Sequence, residues 1–358
     1  MQQPLFSING SANCTIFIHT IKYMPRIVFI LIAVLLPILA PAQQYKYLVL
    51  KGGGIRGIAY VGALQVLENK KITTGIEKVA GTSVGAITGT LFSMGYTAAQ
   101  MEDIMLGLDI ATFNDGEWFF LGGQKRMRKN YGWYKGNKLE QWIGTQIKQQ
   151  TGSDNTTFLQ LHQLAATDKR YKDLYITATN LTKQRIEIFS WETHPDMPIK
   201  TAVRASAAIP LYFGAVFIDS TGKVTEHPDN NNSYDVYVDG GLLANYPINL
   251  FNNDPQETIS EYTLGLKLER PEQIEYAKQH TGITPYHINS FSRYIAALYN
   301  LTIEQLNKSI PYTEEKQHTI YISTSNLNPR VRHITGQQKE LLFHNGAEAA
   351  EQFFEGKN

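Results

Sequence analysis

The sequence predicts an α/β fold built on a parallel sheet, and three observations carry that reading. From Tyr45 onward, short apolar strands alternate with helical patterns. Two of those strands run into glycine-studded turns that open helices, and no internal repeat or domain linker divides the chain. The first turn, Gly52-Gly53-Gly54-Ile55-Arg56-Gly57, follows Tyr47-Leu48-Val49-Leu50; the second, Gly81-Thr82-Ser83-Val84-Gly85, follows Val79-Ala80. In parallel α/β sheets a strand that ends in a tight turn and opens a helix marks the edge where active sites form.

The 358 residues can bury a sizeable core, and 43% apolar with 18% charged residues is ordinary for a globular protein. A formal charge of +1 excludes the basic excess of a nucleic-acid binder.

Residues 1–42 read as a secretory signal outside the fold. Lys22 and Arg26 precede the mostly apolar run Ile27 to Ala40, which ends in Ala40-Pro41-Ala42, a small-x-small site. The run is short for a membrane span, which needs about 20 residues; an uncleaved anchor is the alternative. Met24 is an alternative start. Cutting after Ala42 removes Lys22 and Arg26, leaving 31 basic against 32 acidic residues, a net −1. It also removes Cys14, the single cysteine, so the expected exported protein has no disulfide or thiol chemistry. Periplasm, outer surface and medium are all open to it.

In chain order, Tyr47 to Leu50 is a strand, and Ile58 to Asn69 a helix with Ala59, Gly62, Ala63, Val66 and Leu67 on its packed side. Lys78 to Ala80 is a second strand and Val84 to Met94 a helix; Thr97, with Gln100 three positions on, caps a helix through Leu108. Phe113 to Asn137 breaks the pattern. It combines Trp118-Phe119-Phe120-Leu121 with Lys125, Arg126, Arg128, Lys129, Tyr131, Trp133 and Tyr134. That mixture fits peripheral contact with a membrane surface, or a surface excursion whose aromatics pack on the core.

Lys138 to Gln150 and Leu159 to Leu164 read as helices, Leu174 to Thr179 and Gln184 to Ser190 as strands. Ile199 to Ala208 is a helix that Pro210 stops. Thr221 to Ser233 reads as a polar loop, and Tyr234 to Val238 as a strand. The tail holds a strand (Thr263 to Leu268), a helix (Ser290 to Lys308), a strand (Thr319 to Ser323) and a last helix (Gly336 to Phe354). One domain over residues 43–358 is the economical organisation, with the motifs in 45–250 and the rest of the fold in 251–358.

The second turn has the form G-x-S-x-G. A serine on a sharp strand-to-helix turn has strained geometry, and the flanking Gly81 and Gly85 remove side chains that would collide there. The helix that follows aims its N-terminus at developing negative charge. The first turn fits the dinucleotide pattern G-x-G-x-x-G, but that reading wants an acidic residue at the end of the next strand, where Gly81-Thr82-Ser83 stands instead. A phosphate loop would need Gly-Lys-Ser/Thr, which is absent. An oxyanion hole using the Gly53 and Gly54 amides suits the turn better. A base remains to be found. Asp239 ends the strand Val236-Tyr237-Val238 and precedes Gly240-Gly241, a dipeptide pattern that by itself means only a turn. The nine histidines include His19 in the signal, and the others stand singly. A carboxylate bonded directly to the serine would make them unnecessary.

Together, Gly52 to Gly57, Gly81 to Gly85 and Asp239-Gly240-Gly241 resemble the patatin-like phospholipase family in type, order and separation. Arg204-Ala205-Ser206-Ala207-Ala208-Ile209-Pro210 resembles a fourth block of the family, and Asn245-Tyr246-Pro247 its continuation after the Asp-Gly turn. Gly132 to Ile143 and Gln337 to Phe354 are also similar. The resemblance implies a three-layer α/β/α fold with a mainly parallel central sheet. It implies a dyad of nucleophile Ser83 and base Asp239, oxyanion amides from the loop Gly52, Gly53, Gly54, Gly57, and Arg56 as an anchor for that loop or for substrate. No metal, no cofactor and a phospholipid or other glycerolipid ester substrate are implied with it. Lys51 departs from the small residue relatives often carry before the glycines; it reads as a bias toward anionic head groups or as an exposed strand-end lysine. Two alternatives stand beside the dyad: a Ser-His-Asp esterase using His287 or His333, and an inactive lipid-binding protein. Oligomeric state is not legible.

Overall fold

Both glycine turns sit at the C-terminal ends of neighbouring parallel strands, and the rest of the sheet explains why a distant aspartate joins them. The computed structural model describes residues 45–116, 119–225, 234–252, 258–280, 282–306, 310–327 and 334–356. The expected signal (1–42), Trp118 and His333 lie outside these, as do the side chains of Phe119 and Phe120.

The elements run β1 (Tyr47–Leu50), α1 (Ile58–Asn69), β2 (Lys78–Thr82), α2 (Val84–Ser93), α3 (Ala98–Gly107), α4 (Phe119–Asn130), β3 (Gly132–Tyr134), α5 (Asn137–Thr151) and α6 (Phe158–Thr167). There follow β4 (Asp173–Asn180), β5 (Arg185–Phe189), α7 (Ile199–Ser206), β6 (Leu211–Phe213), β7 (Val216–Asp219), β8 (Val224–Thr225), β9 (Tyr234–Asp239) and α8 (Gly241–Ala244). The chain continues through β10 (Thr263–Glu269), α9 (Pro271–Gln279), α10 (Phe291–Leu306), α11 (Tyr312–His318), β11 (Thr319–Ser323) and α12 (Gly336–Glu355).

Among the described residues, one nine-stranded sheet has the order β11-β10-β1-β2-β4-β9-β7-β8, with β5 paired to β4. The five strands from β11 to β4 are parallel, whereas β5, β9, β7 and β8 pair antiparallel. The sheet is buried on both faces, which is why β1 reads as an unbroken apolar run. Leu48, Leu50, Val79, Leu174 and Ile176 pack into the main core with Leu64 and Leu67 of α1, Leu91 of α2 and Leu342 of α12. On the opposite face Val49, Ala80 and Tyr175 pack with Ile248, Phe251 and Ile259. Helices α1, α2 and α12 pack on the first face and the turns between α8 and β10 on the second, and the sheet is mainly parallel, as expected.

Thr97 and Gln100 form the expected capping box, each side chain bonding the other's backbone N–H. The stretch read as an excursion contains a helix, α4, that its Gly122-Gly123 pair hides from a propensity reading. Tertiary contact sustains it: Arg126 Nε donates to Trp133 O at 2.8 Å. The polar loop begins later than expected, because Val224 and Thr225 pair with Ile218 and Phe217 as β8. β6 and β3 pair with each other as a separate small sheet, and three-residue strands carry too few positions to show a period. Lys51 is not an exposed lysine: it is 5% exposed, and its Nζ bonds Glu269 Oε2 at 3.0 Å and Glu304 Oε1 at 3.2 Å. Burial opposes its charge, but the two carboxylates more than offset this and hold its pKa above the ordinary lysine value.

Candidate active site

The meeting of Ser83 and Asp239 follows from the register along β4. β5 lies along one edge of that strand, pairing Ile176 to Asn180. The other edge is shared. β2 runs parallel along it and ends with Thr82 opposite Thr177, while β9 comes from the other direction and ends with Asp239 opposite Ala178. Two strands thus finish head to head on consecutive positions of a third. The residues at their ends touch: Ser83 Oγ donates to Asp239 Oδ2 at 2.7 Å, with Ser83 7% and Asp239 3% exposed.

Ser83 is the N-cap of α2 with φ 54° and ψ −119°, a conformation that L-residues avoid. Its neighbours have no room for side chains. A Cβ on Gly81 would lie 2.3 Å from Gly85 O, and one on Gly85 2.3 Å from Leu50 O, so the start of α2 crosses the end of β1 in backbone contact. Gly240 is tight for the same reason, a Cβ there falling 2.3 Å from Thr177 O.

The end of α7 and the residues just after it clamp both halves of the pair. The Ser83 N–H donates to Ser206 Oγ at 2.9 Å, and the Asp239 N–H to Ala208 O at 2.9 Å. The Gly241 N–H donates to Asp239 Oδ1 at 2.7 Å. Ser206 lies in the block singled out by resemblance, but no spacing or period assigned its hydroxyl to the serine turn. Arg204, two residues earlier, is buried and donates through Nη2 to Lys135 O and Gly214 O; burial lowers its pKa to about 10.

Burial also dominates the electrostatics of Asp239. Desolvation raises its pKa to about 6, against the opposing pull of the Gly241 N–H and the Ser83 hydroxyl. At neutral pH the carboxylate is ionised and accepts from the serine. Among the described residues no histidine bonds Ser83 or Asp239. His162 pairs with Asp173, His194 with Thr193, and His287 is exposed.

The glycine loop lies against the serine turn, since a Cβ on Gly57 would fall 2.4 Å from Val84 Cγ2. Its amides divide in use. The Gly52 N–H is taken by Asn245 O at 2.9 Å, while the Gly53 and Gly54 N–H groups donate none of the described hydrogen bonds. Arg56 turns back on the loop and donates from Nε to Gly53 O at 2.7 Å. In a trans peptide the C=O and the next N–H point opposite ways. Holding Gly53 O therefore fixes the direction of the Gly54 N–H.

A family model for patatin-like phospholipases matches residues 48–252, which is more than half of the chain. Uncharacterized protein R571 of Acanthamoeba polyphaga mimivirus is 31% identical over 314 residues, 87% of this chain and 94% of its own length. Probable lipid hydrolase 463L of invertebrate iridescent virus 6 is 30% identical over 229 residues, 63% of this chain and 70% of its own. Among solved structures, VipD from Legionella pneumophila shares the fold with a TM-score of 0.55 at 19% identity, covering 87% of this chain and 67% of that one. The matched span begins in β1 and ends beyond Asn245-Tyr246-Pro247, taking in the glycine loop, the serine turn, the Ser206 clamp and Asp239. On that agreement of sequence and architecture, this chain belongs to the patatin-like phospholipase family.

Proposed function

We propose that this chain is a serine hydrolase that cleaves acyl esters of phospholipids or other glycerolipids with Ser83 as nucleophile and Asp239 as its base. The observation that carries the reading is the 2.7 Å bond from Ser83 Oγ to Asp239 Oδ2 at a strained strand-to-helix turn. Family membership and the iridescent virus relative, described as a probable lipid hydrolase, support the choice of lipid.

In this mechanism Asp239 Oδ2 accepts the Ser83 proton as Oγ attacks the ester carbonyl carbon. The oxyanion is held by the uncommitted Gly53 and Gly54 amides, with the N-terminal end of α2 adding its positive dipole. Collapse breaks the ester C–O bond, and protonated Asp239 returns the proton to the departing alcohol. Water then attacks the acyl-serine, Asp239 takes its proton, and the fatty acid leaves as Ser83 Oγ regains a hydrogen. The basic, apolar and small-x-small order of residues 22–42 supports an exported enzyme.

The test is fatty-acid release from mixed membrane lipids by the purified chain and by its Ser83→Ala and Asp239→Asn variants. Both substitutions are expected to abolish it. Robust turnover by either, or a loss of several orders of magnitude in His287→Ala or His333→Ala, rules out the dyad. Fluorophosphonate labelling that Ser83→Ala removes separates an enzyme from an inactive lipid binder.

A further inference from the structure

We infer that α10 presents a lipid-docking stripe beside the catalytic pair. Tyr294, Leu298 and Leu301 recur at i, i+4 and i+7, so they share one face of the helix. All three are exposed, Leu298 at 45% and Leu301 at 50%. Ile303, on the opposite side of the helix, is buried. The helix is thus apolar both toward the protein and away from it, which a fully solvated surface helix is not. Ile288 before it and Leu306 at its end are also exposed, Leu306 on a different side of the helix from Leu301.

Position identifies the occupant. α10 packs against α8, the turn that begins two residues after Asp239. Its Glu304 bonds Lys51, the residue immediately before the glycine loop. The stripe is therefore carried by an element fixed at both pieces of the site. Charge agrees with a lipid surface: the charged side chains of α10 are Arg293, which is exposed, and Glu304, which is tied to Lys51. An apolar stripe with a cation at its edge suits acyl chains beneath anionic head groups. The occupant is a bilayer surface; this choice rests on the lipid-hydrolase reading above.

The test uses the full chain carrying Ser83→Ala, so that binding is read without turnover, with and without Leu298→Ser and Leu301→Ser together. Thermal unfolding confirms that the variants are folded. Sedimentation with vesicles of phosphatidylcholine and phosphatidylglycerol is expected to show at least about tenfold weaker binding for the double replacement. With Ser83 intact, hydrolysis of vesicle phospholipid should fall in parallel, while turnover of a water-soluble short-chain ester stays within about twofold. Unchanged vesicle binding overturns the inference. So does dissociation of a dimer by the double replacement, which would make the stripe a contact between copies. Vesicle binding lost through the stripe in a chain that turns over no ester supports the docking face and rejects the hydrolase reading.

Discussion

Asp239 Oδ2 lies 2.7 Å from Ser83 Oγ because β2 and β9 end head to head along one edge of β4, opposite the adjacent residues Thr177 and Ala178. The parallel half of the sheet brings the serine and the antiparallel half brings the carboxylate. The switch of strand direction on β4 is what lets two strand ends face one another. It also buries the carboxylate, and that burial sets its titration.

The first prediction follows from that titration. As the proposed base, Asp239 would have to be ionised, so kcat/KM for a soluble ester should rise with pH through about 6 and level off above it. Stability should move the other way. The folded pKa is raised above the unfolded value, so the native state holds the proton more tightly. The contribution of Asp239 is then fully present below about pH 4 and is lost as pH rises through about 6, a change on the order of 3 kcal/mol. Asp239→Asn lacks this loss, and thermal unfolding should show it gaining on the natural chain between pH 4 and pH 7. Parallel pH dependences for the two chains would contradict a raised pKa.

Backbone strain gives a second prediction. Ser83→Ala and Ser83→Gly remove the same hydroxyl and should be equally inactive. Glycine adopts φ 54° and ψ −119° without penalty, whereas alanine does not. Ser83→Gly should therefore be more stable than Ser83→Ala by about 1–3 kcal/mol, despite glycine's greater unfolded-state entropy working against it. Denaturant unfolding of the two inactive chains measures the difference directly; equal stabilities would mean the turn is relaxed.

Much of this site is legible in the sequence because its parts are local. Gly81, Ser83 and Gly85 announce a tight strand-to-helix turn by themselves, and Thr97 with Gln100 announces a helix start. The Gly52 to Gly57 loop is legible as a turn, but which amides it leaves uncommitted depends on Asn245, nearly two hundred residues away. Ser206 is harder still. Its hydroxyl looks like any helix-end serine until the fold brings it to the Ser83 amide. Lys51 misleads for the same reason, since a lysine after an apolar strand ordinarily marks solvent, and its two carboxylate partners are more than two hundred residues downstream. β3, β6 and α4 were hidden by short length or by glycines, with tertiary pairing overriding weak local preference.

Arg56 yields a third prediction, as a positioning residue. Its bond to Gly53 O fixes the peptide plane that carries the Gly54 N–H. Arg56→Gln should lower kcat by about 10–1,000-fold, toward the loss seen when an oxyanion donor is removed, with little change in KM. Kinetics on a soluble ester make the check. A rise in KM with kcat unchanged would instead mean that Arg56 binds substrate.

The last prediction concerns the ion network behind the loop. Lys51 is buried between Glu269, itself buried, and Glu304, which is partly exposed. Lys51→Met leaves the Glu269 carboxylate with less compensation inside the protein, and removing one partner of such a pair costs about 3–5 kcal/mol. Adding Glu269→Gln removes the orphaned charge, so the double variant should recover much of that loss. Lys267 moderates the effect, because its charge also favours ionised Glu269. The double-mutant cycle, read by denaturant unfolding, isolates the coupling. Additive losses would show that Lys51 and Glu269 are stabilised independently, and that the lysine holds the β1 end by packing its stem rather than by its charge.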